Sequence, residues 1–110
     1  MRESDINFHI GLDEENIPET ITWSASDKEV PGAEYTKGIL LSIFDNATQE
    51  TLRMDIWTKE MTVDEMKKFV INSIGGMATT IENATGDRDM AGKMHELCRE
   101  LVKKVQEDNK

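Results

Sequence analysis

At 110 residues the chain is one domain by length, and it carries a net charge of −9 from 22 acidic against 13 basic residues. A chain of this size buries roughly 65% of its unfolded surface, enough for one core without covalent staples. Its single cysteine, Cys98, excludes an internal disulfide. The acids are scattered rather than blocked, which disfavours nucleic acid and anionic membrane surfaces, because both need a basic face.

The opening stretch MRESDINFHIGLDEEN is polar and acidic and lacks the apolar centre of a signal peptide. The longest purely apolar run, Ile39 to Leu41, falls far short of the roughly 20 residues a membrane span needs. The expectation is a cytoplasmic chain with no membrane insertion. Ile6, Phe8, Ile10 and Leu12 alternate with Asp5, Asn7, His9 and Gly11, the pattern of a strand with one buried face. After the acidic turn DEENIPE, the alternation of Ile21, Trp23 and Ala25 with Thr20, Thr22 and Ser24 lets a second strand fold back as a hairpin, with Pro18 at its entrance. SDKEVPGAEY, with Pro31-Gly32 and several charges, reads as an exposed loop.

GILLSIFD and ETLRMDIW, joined by NATQ, suggest a second hairpin. Ile39, Leu40, Ile43 and Phe44 would also make a helical stripe, although strand is the preferred reading. From Thr62 the period changes. Thr62-Val63-Asp64-Glu65 is a capping box, and Met66, Phe69, Val70, Ile74, Met77 and Ile81 then recur on one helical face to about Thr85. Gly86 supplies a left-handed stop and Asp87 a cap for the next helix, whose apolar side holds Met90, Met94, Leu97, Cys98, Leu101, Val102 and Val105. Lys103 and Lys104 are placed at its basic end, and the tail QEDNK is expected to fray. Strands segregated from helices predict an α+β fold: an antiparallel sheet of about four strands, with two C-terminal helices packed on one face as a two-layer sandwich.

Residues able to carry chemistry are few. His9 shares a polar strand face with Asp5 and Asn7 but has no second histidine or cysteine nearby in sequence, so a solvated face is the better reading than a metal site. No serine sits in a G-x-S-x-G turn, and no glycine loop precedes a helix in a phosphate-binding pattern. Catalytic residues, cofactor and metal are all read as none, and Cys98 as a buried thiol. Gly75-Gly76 lies inside the helical period at a cost of roughly 2 kcal/mol relative to alanine. With Ser73, Ala78, Thr79 and Thr80 these glycines form a small-residue patch, read first as close helix packing and second as a hinge or partner groove. Met54, Met66, Met77, Met90 and Met94 are read as adaptable core.

Trp57 breaks the alternation of its strand. Leu52, Met54 and Ile56 make the face for the helices to cover, and Trp57 falls with Arg53 and Asp55 on the other. An indole there, with Leu40 or Phe44 beside it and Arg53, Asp55 and Lys59 around it, has the make-up of a protein interface, an aromatic anchor inside a polar rim. The alternative is that the strand ends at Ile56 and the indole wraps around the edge.

The segments IPETITWSASD, QETLRMDIWTKEMTVDEMKKF and ATGDRDM resemble the GldC family of gliding Bacteroidota, and the resemblance spans nearly the whole chain. It implies a small cytoplasmic accessory protein of gliding motility, non-enzymatic, with a protein partner in the gliding or secretion apparatus. The out-of-phase indole makes an adaptor or assembly factor the leading expectation, and a homo-oligomer would satisfy Trp57 as well. A secretion-type holding chaperone is the alternative, since the four-strand, two-helix order is similar to the export chaperone SecB in architecture alone.

Overall fold

In a computed structural model, residues 1–29 and 32–110 are described; Pro31 of the expected loop lies outside them. The strict alternation of the first segment produces strand β1, Ile6–Leu12, which pairs antiparallel with β2, Pro18–Ala25. Their register sets Ile6 against Ala25, Phe8 against Trp23 and Ile10 against Ile21, so the apolar residues of both strands share one face. Ile21 is fully buried. The face is less covered than its pattern implies, because Ile6 and Leu12 are more than half exposed. Periodicity fixes which side chains point together; coverage depends on what else packs there.

The acidic turn between the strands is organised by Asp13. Its Oδ1 accepts from the amides of Glu15 at 2.8 Å and Ile17 at 3.0 Å, and Asn16 takes the left-handed φ of 64°. A third strand, β3 at Glu34–Thr36, pairs with β2 and falls within the segment expected to be loop. Three residues carry no readable period, which is why the strand is invisible in the sequence.

Lys37 alone separates β3 from β4, Gly38–Phe44, and there the chain passes from one sheet to another. The Thr36 hydroxyl holds the corner, donating to the Gly38 carbonyl at 3.1 Å and accepting from the Gly38 amide at 3.4 Å. β4 pairs antiparallel with β5, Thr51–Trp57, as a two-stranded ribbon. The strand reading of GILLSIF therefore holds. The strands number five in two sheets, of order β1-β2-β3 and β4-β5, where about four in one sheet were expected. The fold class is α+β.

The chain divides into two compact units, Met1–Met61 with all the strands and Thr62–Lys110 with both helices. Helix α1, Val63–Thr85, starts at the capping box: Glu65 N–H donates to Thr62 Oγ1 at 3.1 Å and Thr62 N–H to Glu65 Oε1 at 3.0 Å. It stops where Gly86 turns left-handed at φ 76° and donates to the Glu82 carbonyl. Asp87 caps α2, Arg88–Asp108, through the Met90 amide at 2.9 Å. The two helices pack on each other, and the buried residue of each is an alanine, Ala78 and Ala91.

Three further expectations change. A methyl built on Gly76 meets nothing within 4 Å and one on Gly75 meets only Cys98 Sγ at 4.0 Å, so close packing does not require a glycine at either position. The tail does not fray at Gln106, because α2 continues to Asp108 and its last turn holds no basic residue; Lys104 instead pairs with Asp108 at 2.6 Å. Met54, Met77 and Met90 are about half exposed rather than core. Cys98 is half-buried, its Sγ donating to the Ile71 carbonyl at 3.6 Å.

Candidate interaction surface

The β4–β5 register decides which of the candidate residues meet. Gly38 faces Trp57, Leu40 faces Asp55, Ser42 faces Arg53 and Phe44 faces Thr51, so these eight share one face of the ribbon. Ile39 with Ile56, Leu41 with Met54 and Ile43 with Leu52 make up the other. Leu40, Phe44, Arg53, Asp55 and Trp57 are thus brought to a single side, and β5 runs through Trp57 rather than ending at Ile56.

Trp57 is 54% exposed and Phe44 64%. The residue directly across from the indole is a glycine, which offers it no side chain, and Leu40 is its diagonal neighbour. Phe44 is not beside it. Six residues of strand put the phenyl ring about 20 Å away, at the turn end of the ribbon.

Between the aromatics lies a closed polar group. Arg53 Nη2 donates to Asp55 Oδ1 at 2.7 Å, Nε to Oδ2 at 3.2 Å, and Nη1 to Ser42 Oγ at 2.5 Å. The fork geometry pins the guanidinium flat along the strand, and hydrogen bonding to Asp55 raises its pKa above the ordinary arginine value. Arg53 and Asp55 are the only charged residues in the fourteen of β4 and β5, and they neutralise each other.

Lys59 lies beyond the strand and takes a different partner. It forms an ion pair with Asp13 in the β1–β2 turn. The Lys59 hydrogen bond, helped by the Ile17 amide, lowers the Asp13 pKa to about 2, and Asp13 in return raises that of Lys59. The lysine pins the exit of β5 to the first hairpin. Thr58, buried beside it, donates its amide to the Lys37 carbonyl at 2.9 Å and extends the ribbon's ladder by one pair.

The opposite face of the ribbon is also open. Ile43, Leu52 and Met54 are each more than half exposed, which the alternating pattern alone would have assigned to a core. In the helical unit, Met66, Val70, Ile71, Leu101 and Val105 line an apolar cleft rimmed by Lys67, Lys104 and Asp108. Their periodicity signals this cleft only as generic helix packing.

Among the described residues no group of three or more His, Cys, Asp or Glu is placed to hold a metal ion, and no helix is long and apolar enough to cross a membrane. No curated protein and no solved structure is significantly similar to the chain. The model of one family, described as gliding motility-associated protein GldC-like, matches residues 18–107, a span holding β2 to β5, α1 and nearly all of α2. With that match over most of its length, the chain belongs to the GldC-like family of gliding motility-associated proteins.

Proposed function

We propose that this chain is a cytoplasmic, non-enzymatic accessory protein of gliding, an adaptor or assembly factor that binds a protein of the gliding or secretion apparatus through the Trp57 face of the ribbon. One observation carries the reading. A half-exposed indole stands on the same face as Leu40 and Phe44, with the charges between them already paired to each other. A partner covering that face gains apolar area without stripping water from an unpaired charge, which is the main cost of docking on a polar surface. Lys59, committed to Asp13, frames the face from outside.

The test is recovery of partners from cells of a gliding bacterium by tagged wild type and Trp57→Ser. Truncating a half-exposed tryptophan costs about 2 kcal/mol, roughly half the cost at a fully buried site, so the variant stays folded. Loss of one discrete motility component with the variant supports the reading, whereas equal recovery by both proteins removes it. A holding chaperone is the second reading, favoured by Ile43, Leu52 and Met54 standing exposed on the other face. Suppressed aggregation of an unrelated unfolded protein would select it, since a specific adaptor shows none.

A further inference from the structure

The ribbon has an open edge as well as open faces. The ladder bonds at Asp45–Glu50 and Lys37–Thr58 set the parity of β4: odd-numbered residues turn their amide and carbonyl toward β5, and even-numbered ones turn theirs outward. Gly38 is served by the Thr36 hydroxyl. Among the described residues, the outward groups of Leu40, Ser42 and Phe44 have no hydrogen-bond partner.

Folded proteins protect such edges with charges, proline, bulges or brevity. The other edges carry these devices. β1 has a register irregularity at Gly11/Leu12, and β3 is three residues long with Glu34 in it. β4 has seven residues, GILLSIF, with no charge, no proline and no bulge, in a chain that is 32% charged.

The geometry points to β4 as the site where a second copy of this chain pairs, antiparallel and edge to edge, about a two-fold axis at Leu41. This register places Leu40 against Ser42 of the second copy and Gly38 against its Phe44. The outward amides and carbonyls of Leu40 and Ser42 then bond in reciprocal pairs, Gly38 keeping its bonds to Thr36, and the two ribbons become one four-stranded sheet. Leu41 and Met54 of both copies line up on one face, flanked by Ile39, Ile43, Leu52 and Ile56. On the other face, Phe44 of the second copy lies across the bare Gly38 backbone from Trp57, and that gap lets two aromatic rings approach where a side chain would have held them apart.

Charge and the self-complementary register of the edge both favour a second copy as the occupant. Two bodies of net charge −9 repel each other, and the ribbon is a place where they can meet without opposing charges, because its only two are paired internally. Pairing concerns the strand edge rather than the Trp57 face, so it does not depend on the adaptor reading.

The test uses the purified full chain in a Cys98→Ser background with Leu41→Cys or Ile43→Cys. At the two-fold axis the Leu41 positions of the two copies form a non-hydrogen-bonded pair with Cα atoms about 4.5 Å apart, inside the disulfide range of ~4.4–6.8 Å. The two Ile43 positions would be about 13 Å apart along the strands. Ile43 is the more exposed of the two, so random collision would favour its cross-linking. The expected result is a wild-type mass twice 12.5 kDa by sedimentation equilibrium, with mild oxidation cross-linking Leu41→Cys at least several-fold more than Ile43→Cys. A single-chain mass at all concentrations overturns the proposal, and so does cross-linking at Ile43→Cys equal to or above that at Leu41→Cys. Because no other protein is present, failure here leaves the adaptor reading standing.

Discussion

Replacing Gly76 with alanine should stabilise the protein, and replacing Gly86 with alanine should destabilise it, although a methyl at either site meets no atom within 4 Å. The difference lies in the backbone. Gly76 sits inside α1, where glycine costs about 0.8–1.0 kcal/mol relative to alanine through lost chain entropy. Gly86 holds φ at 76°, where a Cβ crowds the following carbonyl at about 1–2 kcal/mol. Gly75→Ala adds a methyl that just reaches Cys98 Sγ at 4.0 Å, so the double Gly75→Ala/Gly76→Ala variant should gain about 2 kcal/mol. That corresponds to a melting point higher by on the order of 8–15 °C. Urea unfolding followed by far-ultraviolet circular dichroism reads both signs in one experiment. If Gly76→Ala is neutral or destabilising while Gly86→Ala destabilises, the entropy argument is wrong and the glycines answer to a packing demand that α1 does not display. If the stabilised double variant loses activity in gliding cells, the glycines are retained for a moving part or a groove.

Two further outcomes follow from local bonding. Thr62→Ala removes the hydroxyl that accepts from the Glu65 amide, leaving the backbone half of the capping box in place, and should cost about 1 kcal/mol, read as a lower urea midpoint with an unchanged slope. For Asp13 the folded pKa is depressed to about 2, so its contribution is fully present above the ordinary carboxylate value and is lost as pH falls through about 2. Asp13→Asn should therefore be less stable than wild type near neutrality, and the gap should close between about pH 4 and pH 2 in acid-unfolding curves.

Legibility in the sequence followed the range of the interaction. The Thr62–Glu65 box, the Gly86 stop and the Asp87 cap are contacts within four residues, and each sits where its residue type indicates. Alternation likewise assigned Trp57, Arg53 and Asp55 to one face, because side-chain period is a property of the strand itself. What the sequence could not supply was anything set between elements. The distance from Phe44 to Trp57 follows from cross-strand register, the division into two sheets from which strands pair, and the exposure of Leu52 and Met54 from how much of each the fold covers. Lys59 looked like rim from its position beside the indole, and only the folded chain brings Asp13 within reach of it.

The self-neutralised ribbon also bears on how this protein behaves in salt. Contacts made through charged rims weaken as ions accumulate, because fields between exposed groups fade beyond a Debye length of about 10 Å at 0.1 M. A contact made through β4 and β5 has almost no such field to lose. Added salt would instead relieve the general repulsion between acidic bodies and leave the strand-on-strand bond as strong as before. For a protein of net charge −9, which turns acidic neighbours away, the ribbon is a region where approach is not penalised. Selectivity then comes from where the chain refuses contact as much as from where it accepts it.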